Sequence, residues 1–400
     1  MALLHLPLDA ITEQPLRALI ETGARESLYI DYKRETYGGN DAARKEFLAD
    51  ICSFANAAGG DIVIGMAENA GVPSEIMPFT DDADQERLRL EQMARDGIEP
   101  RIIGLAVRLV PVSGGGVFVI RVPKSYNPPH RVTFKNSKRF YARSSGGKYE
   151  PDIGELRNLF LAAPHLHERI REFRMGRIAR IAAGETPVPL CISLPRYAVL
   201  HVVPFSAFGG FGHDLIAKFG RHWQEFWPFR SDRPAGTLVN FDGIITHSGA
   251  RGEMRKYFSY CQIFRSGSVE TTEAFGDNGM TREDLFIAGL FNGHNAGAQV
   301  RNSVFRLASA LSKCGVMPPY VVMFSLLGMK DAKLGVPGLL QVADRDQYHF
   351  IEVQLDTVPE SPEAAGQDLI PLLDHIASLS GAISSWIAPN AQLPSTGALE

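Results

Sequence analysis

The chain switches between two hydrophobic periods, and the switches mark its elements. From Leu28 to Lys33, Leu28, Ile30 and Tyr32 alternate with Tyr29, Asp31 and Lys33, the period-two pattern of a strand. Over residues 41–58, Phe47, Leu48, Ile51 and Phe54 recur at helical spacing, with Asp41 as the expected N-cap and Gly59 as the stop. Ile62, Val63 and Ile64 then run without polar interruption, which predicts a buried strand over 61–66. A charged amphipathic helix is expected at 82–96. Strands follow at 102–110 and 117–122, joined by Ser113-Gly114-Gly115-Gly116 as a hairpin turn. A second strand pair is expected at 131–134 and 139–143, and a helix at 153–161. Residues 7–22 read as a short helix begun by Pro7.

Pro164 opens an arginine-rich helical stretch that Gly184-Glu185-Thr186-Pro187 breaks. Beyond it, strands are expected near 197–203, 238–245, 257–264, 269–272, 320–327 and 349–354, with helices at 281–290, 296–314 and 369–379. The expected organisation is α+β: a mixed-sheet N-terminal domain at 1–163, a basic helical linker at 164–187 and a second α/β domain at 188–390. Residues from 387 on are rich in Pro, Ser and Ala, and a frayed tail is expected at 391–400. No internal repeat is visible.

Composition sets outer bounds. A chain of 400 residues exceeds the usual span of one hydrophobic core. With 45% hydrophobic and 22% charged residues it has the make-up of a soluble globular protein. No apolar run approaches the ~20 residues that span a bilayer, and no basic segment precedes an apolar one at the N-terminus. A cytoplasmic protein without a membrane partner is expected. Cys52, Cys191, Cys261 and Cys314 are isolated, so free thiols are expected rather than a zinc site. The net charge of −4 hides an asymmetry: residues 97–181 hold sixteen Lys/Arg against six Asp/Glu. A basic block in an otherwise acidic chain suits a polyanionic partner, and a solvated helix face is the plainer alternative.

The candidate chemistry lies between residues 26 and 68. Asp31 and Lys33 share a strand face with Tyr29, Glu26 stands at the start of that strand, and Glu68 follows Gly65 where the next strand would leave the sheet. Hard carboxylate oxygens can hold Mg²⁺ or Mn²⁺ against a phosphodiester, and a nearby lysine offsets transition-state charge. The plainer alternative is a surface salt-bridge patch. Gly59-Gly60 would end the helix and let backbone approach closely. Asn56 is either a ligand to nucleic acid or a backbone cap. No GxxxxGK[ST] occurs, and Ser145-Gly146-Gly147-Lys148 lacks the strand–loop–helix order of a phosphate loop. No triad spacing emerges among the histidines His165, His167, His213, His222 and His247. The aromatic run Phe205, Phe208, Phe211, Trp223, Phe226, Trp227 and Phe229 is core, dimer surface or a base-stacking platform.

Glu26-Ser27-x-x-x-Asp31-x-Lys33, the helix end Phe54-Ala55-Asn56-x-x-Gly59-Gly60 and Ile64-Gly65 before an acidic turn together resemble the Schlafen-type AlbA-like domain. The resemblance covers roughly residues 20–162 and leaves the second domain unassigned. Many bacterial members carry DNA-binding or ATP-binding labels. In Schlafen nucleases three acids form the site; the resemblance places them on Glu26, Asp31 and Glu68. Asp31 stands where Glu is usual and Glu68 where Asp is usual, so the carboxylates remain but shift by about one methylene. The zinc-finger cysteines of eukaryotic Schlafens have no counterparts.

The resemblance implies a metal-dependent endoribonuclease acting on tRNA or another structured RNA, with phage defence as its setting. Glu26, Asp31 and Glu68 would hold Mg²⁺ or Mn²⁺, Lys33 would steady the phosphate, and Lys135, Lys138, Arg139, Arg143 and Lys148 would carry the RNA backbone. DNA is the second candidate partner. Replacing Asp31 or Glu68 by Ala would abolish cleavage with little change in thermal stability. A non-catalytic nucleic-acid-binding regulator and a protein-interaction module are the rival readings. The acidic motif occurs once, and one such domain offers a short basic face. A homodimer through residues 205–229 is therefore expected, with the second domain as a sensor or dimerisation unit.

Overall fold

The computed structural model describes residues 3, 6–191, 195–208, 215–229, 231, 233–251, 256–275, 290–291, 293–336 and 339–379. The chain divides into two compact units, Met1–His167 and Glu168–Glu400.

The first unit is built on a β–α–β core. After α1 (Glu13–Glu21) come β1 (Ile30–Lys33), α2 (Asp41–Ala55) and β2 (Gly60–Ile64), with β1 and β2 parallel and Ile30 opposite Asp61. A hairpin of β3 (Met66–Asn69) and β4 (Val72–Ile76) precedes α3 (Ala83–Gly97), β5 (Ile98–Glu99), β6 (Ala106–Val112) and β7 (Gly115–Val122). The four-stranded sheet runs β1-β2-β7-β6, and only its first pair is parallel, so it is mixed. β8 (Arg131–Val132) pairs with β5 and with β9 (Arg139–Phe140). β10 (Ala142–Ser144) and β11 (Gly147–Tyr149) form a last hairpin.

The unbroken apolar run of β2 follows from cover on both sides. Ile62 and Ile64 pack with Phe47, Leu48, Ile51 and Phe54 of α2, while Val63 packs with Leu16 and Leu19 of α1. The N-cap of α2 is Asn40 rather than the expected Asp41: the Asn40 side chain accepts from Ala43 N at 2.8 Å. The turn after α2 needs both glycines. Gly59 has φ +74°, and a Cβ there would meet Lys124 N at 2.5 Å; a Cβ on Gly60 would meet the Phe54 ring at 2.4 Å. The β3–β4 hairpin was not expected, because residues 66–76 carry no sustained apolar alternation.

α4 (Ile153–Ala182) runs unbroken through Pro164, where the sequence suggested a new helix. Proline removes one helical hydrogen bond there without ending the helix. Two arginines of its second half, Arg174 and Arg177, serve the interior of the second unit. Arg174 donates to Phe324 O and Ser325 Oγ, and Arg177 makes a two-pronged contact with Glu270 at 2.8 and 2.9 Å. Arg169, Arg171 and Arg180 are exposed, so the basic block of this helix is split between interior and solvent.

The second unit also combines helices with sheet. Its elements are β12 (Arg196–Pro204), α5 (Ile216–His222), β13 (Gly236–Val239), β14 (Gly243–His247), β15 (Ala250–Arg251), β16 (Lys256–Tyr257), β17 (Ser259–Phe264), β18 (Val269–Phe275), β19 (Leu290–Phe291) and α6 (Gly293–Lys313). β20 (Tyr320–Leu327), β21 (Lys333–Val336), β22 (Leu339–Val342), β23 (Gln347–His349), β24 (Val353–Leu355), α7 (Pro362–Asp368) and α8 (Ile370–Ser378) follow. The main sheet runs β13-β14-β17-β18-β12-β20-β23, with β24 also on β20, and its pairings are antiparallel. Val300, Val304, Leu307 and Leu311 of α6 and Leu372, Leu373 and Ile376 of α8 pack on one face.

Phe205, Phe219, Phe226 and Phe229 are fully buried, and the last three belong to that core. These four rings are therefore interior and offer no dimer surface, while Phe208, Trp223 and Trp227 are half-buried. Phe211, the helix expected over 281–290 apart from Leu290, which lies in β19, and the expected tail at 391–400 lie outside the described residues.

Glu270, at 0% exposure, also accepts from Tyr260 OH at 2.7 Å and faces His201 Nε2 at 3.1 Å. Burial opposes its charge, but the His201 contact and the Arg177 guanidinium outweigh it and hold its pKa at about 2. Burial pushes His201 below the usual histidine value.

Candidate functional site

Five of the expected site residues, Glu26, Asp31, Lys33, Arg143 and Lys148, meet at a cavity of about 440 Å³. Glu26, Asp31, Lys33, Glu46, Asp50, Arg143 and Lys148 line it, with the β3–β4 turn (Ala70, Gly71) and the β10–β11 turn (Ser145, Gly146, Gly147) also contributing. With Arg25, four acids face four cations, so the lining is electrically balanced.

Asp31 is buried, and both its oxygens are engaged. Oδ2 accepts from Lys33 Nζ, and Oδ1 accepts from Arg143 Nη2 at 2.6 Å. Lys33 also lies 3.7 Å from Asp50 Oδ2. Burial works against the Lys33 ammonium, but Asp50, Asp31 and Glu26 outweigh it and raise its pKa above the ordinary lysine value. Glu26 Oε1 accepts from Tyr32 N at 2.9 Å. Burial raises the Glu26 pKa, and the like charges of Asp31 and Glu68 add to the rise, against the Tyr32 N–H and Lys33.

Glu68 is exposed on β3 and turns its carboxylate to Gly71 N. It is outside the cavity lining, although Gly71 belongs to it. Among the described residues no group of three His, Cys, Asp or Glu side chains is arranged to hold a metal ion. Glu26 and Asp31 supply the hard oxygens that suit Mg²⁺ or Mn²⁺ on one wall; Glu68 does not complete a three-carboxylate set here.

The basic residues divide. Lys148 donates to Asp50 Oδ1 at 2.8 Å and to Glu46, at the cavity. Arg143 is buried, donates to Ser27 O at 3.1 Å and stacks 4.3 Å over the Phe54 ring. It is thus an internal tie under Asp31, which corrects its expected role as a surface phosphate contact. Lys135, Lys138 and Arg139 are exposed; Lys135 pairs with Asp41 and Arg139 with Glu150. None of the three lines the cavity.

Two residues gain roles. Asn56, at the C-terminus of α2, donates to His130 O at 2.8 Å and Tyr141 O at 2.9 Å and accepts from His130 N at 2.7 Å. It clamps distant backbone and caps its helix, and holds no outward-facing contact. Asp50 was missed. It lies three residues after Phe47 and four before Phe54, on the buried face of α2, and that spacing was the available signal.

The family model described as "Schlafen, AlbA_2" matches residues 26–152, the segment that builds this cavity. The chain carries a Schlafen AlbA_2 domain. No curated protein matches the chain. Among solved structures, the DIP2311 protein from Corynebacterium diphtheriae is 19% identical over 37% of this chain, at a TM-score of 0.26. The match spans 28% of that protein's length. The N-terminal domain of a RecG-related protein from Nitrosomonas europaea is 17% identical over 36% of this chain and 94% of its own, at a TM-score of 0.27. The AlbA_2 domain accounts for the β1–α2–β2 unit and both turns around the cavity. Among the described residues no helix is long and apolar enough to cross a membrane.

Proposed function

We propose that the AlbA_2 domain binds structured RNA, tRNA-like RNA foremost, and cuts its phosphodiester backbone with a divalent cation, as a cytoplasmic Schlafen-type endoribonuclease. The supporting observation is the meeting of Glu26, Asp31, Lys33 and Lys148 at one cavity. Phage defence is the setting that fits such an activity.

Glu26 and Asp31 would hold Mg²⁺ or Mn²⁺, which supplies an activated water and offsets charge on the phosphoryl oxygens. Lys33 and Lys148 would bind the anionic phosphate, with lysine ammonium groups already at the cavity and partly exposed. The exposed Lys135, Lys138 and Arg139 would contact backbone phosphates outside the cavity.

One observation favours the rival reading of a non-catalytic nucleic-acid binder: both Asp31 oxygens are already ion-paired. Incubating purified protein with total RNA, with Mn²⁺ and with EDTA, separates the two. Fragments that need Mn²⁺ support the nuclease; retention of intact RNA under both conditions supports the binder.

A further inference from the structure

Asp50 lines the cavity at only 2% exposure and takes no part in the three-acid motif. Its carboxylate is fixed from behind, where Tyr37 OH donates to Oδ2 at 2.8 Å. Tyr37 is itself buried and packs edge-on against Phe47, with ring centroids 5.0 Å apart. The backbone beneath is secured by Ser53 Oγ, which donates to Asp50 O at 2.8 Å.

The open side of the same carboxylate meets two lysines from different elements. Lys148 Nζ of β11 lies 2.8 Å from Oδ1, and Lys33 Nζ of β1 lies 3.7 Å from Oδ2. Their side chains are 24% and 27% exposed, so each ammonium is anchored from within and still open to the cavity. Lys148 has a second partner, Glu46, whose side chain is 55% exposed and therefore a weak anchor.

We infer that Asp50 is a positioning residue: its sunken carboxylate sets Lys33 and Lys148 at one fixed spacing, so that together they receive a phosphate of the bound polyanion. The inference rests on the RNA reading above for the nature of that anion. Fixing two lysines in advance removes the side-chain ordering that each would otherwise undergo on binding. It also ties the β10–β11 hairpin to α2 and β1.

The test has one arm without RNA and one with it. In the first, the rate of Lys148 acylation by an N-hydroxysuccinimide ester at fixed pH is read by mass spectrometry. Asp50→Asn should raise the rate several-fold, while Glu46→Gln raises it little. An unchanged Lys148 rate in folded Asp50→Asn overturns the inference, whatever RNA does.

The second arm measures affinity for a labelled transcribed tRNA in Lys33→Gln, Lys148→Gln and the double variant, all at partly exposed positions that should fold even if Asp50→Asn does not. Each single change should weaken binding about three- to tenfold, as for one lost hydrogen bond of ordinary net strength. The double variant should lose clearly less than the product, because the two act as one unit. Asp50→Asn should lower affinity in the native background and not in Lys148→Gln. Strictly multiplicative losses overturn the shared positioning. If acylation responds as expected but neither lysine variant alters RNA affinity, the RNA reading fails and the positioning of Lys148 stands.

Discussion

Asp31 carries more structural weight than its place in a metal motif suggests. Its carboxylate neutralises Arg143, whose side chain is only 3% exposed. Removing one member of a buried ion pair leaves the other charged and without compensation. Asp31→Ala is therefore expected to lower unfolding stability by about 3 kcal/mol, measurable by denaturant titration. This replaces the expectation of nearly unchanged stability. An unaltered denaturation midpoint would mean that Arg143 finds water or another acceptor. At this scale the sequence was half legible. Glu26, Asp31 and Lys33 were read as a group and line one cavity. Arg143 and Asp50 were misjudged or missed, because a charged residue's burial depends on partners distant in the chain: Arg143 with Asp31, and Asp50 with Lys148.

At the scale of elements, periodicity found most helices and strands. β1, α2, β2, α3, the β6–β7 hairpin, α6, β20 and α8 all lie where apolar spacing placed them. What it missed has physical causes. The β3–β4 and β10–β11 hairpins are short and polar, so their turns rather than their strands define them. α4 continues through Pro164 although proline usually marks a boundary. Arginines on its second half resemble a solvated stripe in sequence, yet Arg177 reaches the buried Glu270 of β18.

That pair makes a pH prediction for the second unit. The folded pKa of Glu270 is about 2, below its ordinary 4.5, so the ionised carboxylate stabilises fully above pH 4.5 and progressively less as pH falls toward 2. His201 acts in the same sense: burial holds it below its ordinary 6.5, so acidification from there protonates the unfolded chain first. Thermal stability should thus decline on acidification below about pH 6.5 and steeply below pH 4.5. Glu270→Gln should cost about 3 to 5 kcal/mol at neutral pH and flatten the acid limb. A variant with the acid limb of the native protein would contradict this account of Glu270.

For the whole molecule, the basic block is smaller in effect than its sum of charges. Arg121 pairs with Asp61, Arg131 with Glu99, and Arg174 and Arg177 face the interior. Lys135, Lys138 and Arg139 are exposed, and the pairs of Lys135 with Asp41 and of Arg139 with Glu150 are surface pairs of little strength; under the proposed function the three contact backbone phosphates. Changing all three to Gln should weaken RNA binding across sequences and flatten its log–log salt dependence by about 0.7 to 0.9 per lost contact. An unchanged slope would assign them to a solvated surface. The chain divides into two units, as its length suggests, whereas the role of the second was not legible, because residues such as Arg177, His201 and Glu270 pair with each other in its interior.

The most direct measurement compares single-turnover cleavage of a labelled transcribed tRNA by the native protein and by Glu26→Gln, in Mn²⁺ and at saturating protein. Glu26 is half-buried at the cavity and, unlike Asp31, has no buried arginine leaning on it, so the variant should fold and bind RNA normally. Mn²⁺-dependent cleavage by the native protein is expected, with loss of at least a hundredfold in rate, about 2.7 kcal/mol, in the variant. Equal rates for the two proteins, or no cleavage by the native protein under any divalent cation, would contradict this.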